Sequence, residues 1–188
     1  MNDDVEELSI LLRKVEPDVL VALACAAADR VLPVYDELGS GDPAALRETV
    51  ESLWEWATGG VEPARAISHA TTLEEFAAAH YEEADDVPGH VVAAALAPFE
   101  VFTNRAHAAK RATAAAGALV LNADFSDEVD GALEDAGQEG RAGDEEEGWR
   151  ERAIELARTW TGPATRSMFD AAGPPPSWLP AFLRASAG

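Results

Sequence analysis

Apolar residues recur three and four positions apart along most of the chain, which is the spacing that places them on one face of an α-helix. A first stripe lies between Val5 and Val15, and a second runs from Leu20 to Leu38. Pro17 precedes the second stripe and suits the first turn of a helix, where its missing N–H would have no partner anyway. No run alternates apolar and polar residues for long enough to indicate a sheet.

Capping residues divide these stripes into separate helices. Asp42 followed by Pro43 predicts the N-cap and first position of a third helix, which should end at the glycine pair 59–60. Pro33 falls inside the second helix, where it removes one backbone hydrogen bond. The second helix is therefore expected to kink or split there.

The middle of the chain continues the helical spacing. A capping box at residues 72–75 predicts another helix start, and residues 90–121 form a long alanine-rich region expected to bend or divide near Pro98 or Gly117. Ser126 is expected to cap a short helix that ends at Gly137.

The C-terminal part begins with a glycine-rich and acidic stretch, residues 138–148, which predicts a mobile surface loop before a helix that starts near Trp149. We expect a helical domain over residues 1–173 and a proline-rich tail over residues 174–188. Because free tails rarely keep large apolar residues, Trp178 and Phe182 should dock on the body. The fold predicted is all-α, a single bundle of about six to eight helices with a proline-bent central helix.

The composition is strongly acidic. The 188 residues include 35 Asp and Glu against 14 Lys and Arg, a formal net charge of −21, so nucleic-acid phosphates would be repelled from nearly every face. With 47% hydrophobic residues the chain can still build a core. Only Lys14 and Lys110 are lysines, and acidic, lysine-poor composition is typical of halophilic proteins, whose self-repulsion is screened by salt.

The first residues are acidic where a secretory signal is basic, and no apolar run is long enough to cross a membrane. We therefore expect a cytoplasmic protein without a membrane partner. The single cysteine, Cys25, lies in an alanine-rich apolar stretch and is expected to be a buried thiol.

Sequence patterns for chemistry are weak. The glycines at positions 39 and 41 match the spacing of a nucleotide-binding fingerprint, but that motif requires a preceding strand and the sequence predicts none there. The four histidines do not form a metal-ligand pair on a shared helical face, and carboxylate pairs are too abundant to single one out. We predict no cofactor, no metal and no catalytic residue, so a non-enzyme is favoured. A small helical metal-carboxylate protein or enzyme is the alternative.

Protein binding is the favoured function, because carboxylates attract a basic partner and a tryptophan can anchor it. The candidate contacts are Trp56, Glu82, Glu83, Asp85, Asp86, Asp144 and Glu145. In the competing interpretation Trp56 packs internally and the acids are only solvated. A self-associating structural protein of a salt-adapted cell, and hence a homo-oligomer, is a further alternative.

One stretch supports a family resemblance. Residues 22–35, ALACAAADRVLPVY, resemble the Cys-x-Glu-Arg-x-x-Pro-x-Tyr helix of a small all-helical prokaryotic family that includes predicted immunity proteins of polymorphic-toxin systems. Residues 53–57, LWEWA, are similar to the next segment of that family, and residues 147–152, EGWRER, to the opening of its terminal helix. This chain has Asp29 where the family usually has glutamate.

The resemblance implies an all-helical bundle without known catalysis, and an immunity-like inhibitor that neutralises a toxin by direct binding. Asp29, Arg30, Pro33 and Tyr35 carry the match. For these four residues it implies a structural role, a proline-bent helix with an Arg–carboxylate pair inside the bundle.

Overall fold

A computed structural model describes residues 3–38, 42–68 and 87–186. Within these ranges every regular element is a helix, which confirms the all-α bundle predicted from the sequence. None of the helices described is both long and apolar enough to span a membrane. The elements are α1 (Asp3–Leu12), α2 (Pro17–Leu38), α3 (Pro43–Gly59), α4 (residues 64–68), α5 (Val87–Thr103), α6 (Ala108–Asp135), α7 (Ala142–Thr159), a 3₁₀ helix (Arg166–Ala172) and α8 (Leu179–Ser186).

Helix α2 is the centre of the bundle. It contacts α3, α5, α6, α7, α8 and the 3₁₀ helix, and all residues from 19 to 28 are buried. A helical segment that is apolar on every side must be covered on every side, which explains why these six elements pack around it. Pro33 lies inside α2 without splitting it, since the helix continues to Leu38.

Helix α3 has the ends that the sequence predicted. The Asp42 carboxylate accepts hydrogen bonds from the backbone N–H groups of Ala44 (3.0 Å) and Ala45 (3.1 Å), as an N-cap does. Gly60 has φ +70° and donates its N–H to the Trp56 carbonyl at 2.8 Å. This left-handed conformation is the one that favours glycine at a helix C-terminus.

The long middle region divides at a place that the sequence analysis did not predict. The break falls at residues 104–107, between α5 and α6, and not at Pro98 or Gly117, which both lie inside helices. At the end of α5 the Glu100 carbonyl accepts from both the backbone N–H of Asn104, at 3.1 Å, and its side-chain amide, at 2.9 Å. The expected helix start at Ser126 was also wrong, because α6 runs through it to Asp135.

Helix α7 begins at Ala142, seven residues before the predicted start near Trp149. The Asp130 carboxylate of α6 accepts from the backbone N–H groups of Ala142 (2.6 Å) and Gly143 (2.8 Å). These bonds satisfy two of the donors that every helix N-terminus exposes. A cap supplied by another helix therefore turns most of the expected loop into helix, and only residues 136–141 connect α6 to α7.

The C-terminal tail packs on the bundle. Gly173, with φ +149°, turns the chain away from the 3₁₀ helix in a conformation that glycine adopts most readily. Beyond it, Trp178 and Phe182 are 4% and 1% exposed. Their ring centroids lie 6.0 and 6.2 Å from that of Phe125 on α6, so the three rings form one buried cluster.

Candidate functional site

A buried ion pair joins the central helix to α7. The Arg30 guanidinium donates from Nε to Glu146 Oε2 and from Nη2 to Glu146 Oε1, both at 2.7 Å. Arg30 is 7% exposed and Glu146 3% exposed. The pair is bidentate, which is the strongest geometry that an arginine and a carboxylate can form. The Arg30 guanidinium carbon also lies 4.8 Å from the centre of the Trp149 ring.

The same pair holds the tail. Arg30 Nη1 donates to the Pro174 carbonyl at 2.8 Å, and the Trp178 indole N–H donates to Glu146 Oε1 at 3.0 Å. Next to it, the Glu145 carboxylate accepts from the backbone N–H of Ser177 at 2.7 Å and from the Ser177 hydroxyl. Arg30, Glu145 and Glu146 are therefore one network that fixes the tail to α2 and α7.

Glu146 is a residue that the sequence analysis missed, because it lay in a stretch interpreted as a solvated loop. A signal for its burial was present. Read backwards from Trp149 and Ala153, the helical stripe of α7 reaches Glu146 and Ala142 at steps of three and four, and all four are buried. The Arg–carboxylate pair that the resemblance implied is thus present in the bundle, with Glu146 as the carboxylate.

The remaining motif residues lie on α2 itself. Tyr35 is buried, and the Asp29 carboxylate accepts from the Trp54 indole N–H at 2.9 Å. Asp29 is exposed by surface area, yet protein atoms crowd its carboxylate, and this loss of hydration raises its pKa. The Trp54 hydrogen bond and the charge of Arg166 act in the opposite direction.

Replacing Asp29 with asparagine should stabilise the protein at neutral pH. The folded state holds the Asp29 proton more tightly than the unfolded chain, so ionised Asp29 lowers stability above its folded pKa. This penalty shrinks as the pH falls below the folded pKa and is gone below the unfolded pKa, while an asparagine oxygen can still accept from Trp54. Melting temperatures of Asp29→Asn and wild type, measured from pH 7 to pH 3, should differ at neutral pH and converge in acid. A melting temperature at pH 7 that is lower for Asp29→Asn than for wild type would contradict the conclusion that ionised Asp29 destabilises the fold.

A second set of carboxylates surrounds a pocket of about 390 Å³ between α1, α6 and α7. A single base, Arg150, is among its lining residues, and the apolar residues that border it are Leu119, Ala123 and Trp149. The acids that line it are Asp4, Asp124, Asp127, Asp130, Asp144, Glu146 and Glu147. We call this cavity the acidic pocket.

Most of this negative charge is not neutralised locally. Glu146 is paired with Arg30, Asp130 caps α7, and Glu147 lies 3.7 Å from Arg150. Asp124, Asp127 and Asp144 take part in none of the ion pairs formed within the described ranges. The acidic pocket therefore presents a negative field to whatever enters it.

Asn122 of α6 also lines the acidic pocket. It is 4% exposed, and its side-chain oxygen Oδ1 has no hydrogen-bond partner. Buried polar atoms are nearly always paired, so this unpaired amide oxygen lowers stability, and because it has almost no accessible surface it is not offered to a ligand in the pocket.

The structure separates the two predicted contacts on α7. Asp144 lines the acidic pocket, whereas Glu145 is turned towards the tail. Trp56 is partly buried, with its ring 5.0 Å from that of Phe102 and the Arg105 guanidinium carbon 5.8 Å from its centre. It is not among the lining residues of the acidic pocket. The other four predicted contacts, Glu82, Glu83, Asp85 and Asp86, lie outside the described residues.

Cys25 has the environment of an inert thiol. It is fully buried, with Sγ 3.9 Å from the Val50 carbonyl, and burial raises its pKa well above the usual value. The negative charge of Asp29 raises this pKa further. The thiolate is the nucleophilic form of cysteine, so this environment opposes attack by Cys25 at neutral pH. Among the residues described, no three His, Cys, Asp or Glu side chains are grouped closely enough to hold a metal ion.

A larger groove of about 780 Å³ lies between α1, α5 and α6, but its chemistry is different. Alanine, leucine and valine side chains form most of its surface, and polar groups are confined to Glu100, Asn104, Lys110 and Thr113. The groove is therefore an apolar surface without a convergent set of chemical groups.

Comparison of the chain with protein-family models, with curated proteins and with solved structures returns no match. The resemblance to the immunity-protein family therefore stays a prediction.

Proposed function

We propose that this chain is a non-enzymatic protein-binding module that holds a basic protein partner at its acidic pocket. The observation that carries the proposal is the set of unpaired carboxylates, Asp124, Asp127 and Asp144, gathered from two helices around one cavity. A positively charged side chain would neutralise them, and the net charge of −21 would draw a basic partner towards the molecule.

The acidic pocket explains binding better than the acidic surface as a whole. The composition supports a salt-rich cytoplasm as the working compartment, and at about 1 M salt the Debye length is only about 3 Å. Charges spread over an open surface are then screened almost completely. Asp124, Asp127 and Asp144 are exposed too, but they line one pocket, so all three can act on the same bound cation. An immunity-like inhibitor would act in this way, by covering a basic surface of its target.

Two variants with the same net charge test this proposal. The first neutralises the acidic pocket with Asp124→Asn, Asp127→Asn and Asp144→Asn. The second changes three exposed acids outside its lining with Glu134→Gln, Asp135→Asn and Glu151→Gln. Each change removes three negative charges, so diffuse attraction falls equally in both.

A peptide of six arginines separated by glycines is the probe, and isothermal titration calorimetry at 0.1 and 1 M NaCl gives its Kd. We expect the pocket variant to lose at least about tenfold in affinity, the equivalent of about 1.4 kcal/mol, and the control variant to lose less than about twofold. Wild-type affinity should fall with salt but survive at 1 M. Equal losses in the two variants would show that only diffuse charge attracts the peptide, and would contradict the proposal.

A further inference from the structure

The apolar groove between α1, α5 and α6 differs in composition from the acidic pocket. Glu100 is the one acid among its described lining residues, whereas half of the residues that line the acidic pocket are acids. Thr113, Gly117 and Leu121 of α6 are partly exposed on the floor of the groove, so another molecule can contact them. Charged residues are depleted in the buried centres of protein interfaces. The groove therefore has the composition of an interface in an otherwise strongly acidic chain.

Gly117 leaves the middle of the groove floor without a side chain. A Cβ added there would meet no atom within 4 Å in the described part of the chain, so the space above this residue is open. Glycine is the residue that lets another backbone approach most closely. The floor can therefore receive an element as wide as a helix, with a large side chain seated over Gly117.

Helix α1 of a second copy has the length and the polarity that the groove requires. Its ten residues span about 15 Å, and the groove floor from Ala109 to Leu121 spans about 18 Å. The first turn of α1 is acidic, and its last turn carries Ile10, which at 59% exposure is the most exposed large apolar side chain described. The groove has the complementary order, with Lys110 near one end and Leu121 at the other.

The distribution of charge also favours a second copy at this surface. Two molecules of net charge −21 repel each other, and the repulsion is smallest where acids are sparse. A basic partner, in contrast, is attracted to the acids elsewhere on the molecule. Lys110 is exposed and forms no ion pair with any residue that the structure describes, so it can receive exposed Glu6 from the acidic end of the second α1. A two-fold axis repeats that pair once in each copy.

We infer that two copies of this chain associate through the groove, with α1 of each copy lying in the groove of the other. The two α1 and two α6 helices then form one four-helix contact, in which Ile10 of one copy covers Gly117 of the other. Helix α1 lines both the groove and the acidic pocket, so it separates the two surfaces. This association goes beyond the proposed function and does not depend on it.

Sedimentation velocity of the full chain, from about 5 to 500 µM at 0.1 and 3 M NaCl, tests the association. The groove is smaller than a standard interface, so we expect a dimer with a Kd in the micromolar range at 3 M NaCl. Affinity should be at least about tenfold weaker at 0.1 M, where the negative charges are less screened. A chain that stays monomeric under all these conditions would overturn the inference. The arginine peptide should show the opposite salt dependence, so failure of the dimer and failure of the proposed function are distinguishable.

Gly117→Gln and Gly131→Gln form a matched pair on α6. A Cβ meets nothing at either position, and glutamine favours a helix more than glycine does, so both variants should melt at a higher temperature than wild type as dilute monomers. Because position 131 does not line the groove, we expect only Gly117→Gln to weaken the dimer, by at least about tenfold. Equal dimer affinity in the two variants would overturn the inference. Should Gly117→Gln prevent folding, Ile10→Gln gives the same comparison, with exposed Ile67→Gln as its control.

Cross-linking tests whether α1 is the occupant. Native Cys25 is fully buried, so disulfides report on the introduced thiols alone. Ile10→Cys protein carrying a hexahistidine tag and untagged Gly117→Cys protein, mixed and oxidised with copper phenanthroline, should give a linked species that contains one of each. Ile67→Cys in place of Ile10→Cys should give no such species. A dimer in which Ile10→Cys links to Gly117→Cys no better than Ile67→Cys does would overturn the inference.

Discussion

Glu146→Leu should lower the free energy of unfolding by about 3–5 kcal/mol, because it leaves the buried guanidinium of Arg30 without its counter-charge. The Arg30–Glu146 pair is bidentate, 7% and 3% exposed, and holds the Pro174 carbonyl and the Trp178 indole as well. Urea unfolding followed by far-UV circular dichroism would measure the loss.

The double variant Arg30→Met/Glu146→Leu should recover part of this loss. Replacing both partners of a buried pair with apolar residues of similar size removes the uncompensated charge. Recovery should be incomplete, since Trp178 would still lose the acceptor for its N–H. The exposed pair Arg47–Asp36 is the control, and Arg47→Met should cost at most about 1 kcal/mol. If Glu146→Leu lowered the free energy of unfolding no more than Arg47→Met does, the Arg30–Glu146 pair would not be a central element of the fold.

Phe182→Ala should cost about 3–5 kcal/mol, because it empties a fully buried position between α8 and α6. The Phe182 ring packs edge-on against Phe125 and Trp178, with centroids 6.2 Å from each. Thermal and urea unfolding would both report the loss.

Arg184→Ala on the same short helix is the matched control, and as an exposed change it should stay within about 0.5 kcal/mol of wild type. Phe182→Ala and Glu146→Leu should also be non-additive, because Trp178 contacts both sites. A Phe182→Ala variant as stable as Arg184→Ala would show that the tail does not belong to the core in solution.

Features of the fold that depend on local spacing could be predicted from the sequence. The stripes that define α1, α2 and α3 follow from steps of three and four, and Asp42 marks its own helix start because an N-cap acts over three residues. Features that depend on distant partners could not be predicted in this way. The start of α7 is one, because its cap, Asp130, lies twelve residues earlier on another helix.

The candidate site was only partly accessible from sequence for the same reason. The chain has 35 Asp and Glu residues, so the presence of one more acid at a given position does not indicate a site. In the local sequence, buried Glu146 differs from exposed Asp144 only in its position on the apolar stripe of α7. Asp124 and Asp127 meet Asp144 only because α6 and α7 pack together. Asn122 stands out in the sequence only as a lone polar residue within an apolar stretch of α6, and that pattern by itself does not indicate a binding site.

Chemical-shift mapping tests the central claim, that the acidic pocket binds a basic partner, most directly. ¹⁵N-labelled protein would be titrated with the peptide of six arginines separated by glycines while the backbone N–H signals are followed. We predict the largest shifts at the backbone N–H groups of Asp124, Asp127 and Asp144, with saturation at one peptide per chain. The largest shifts around Leu96 and Leu121 in the apolar groove, or small shifts spread over the whole acidic surface, would contradict the account.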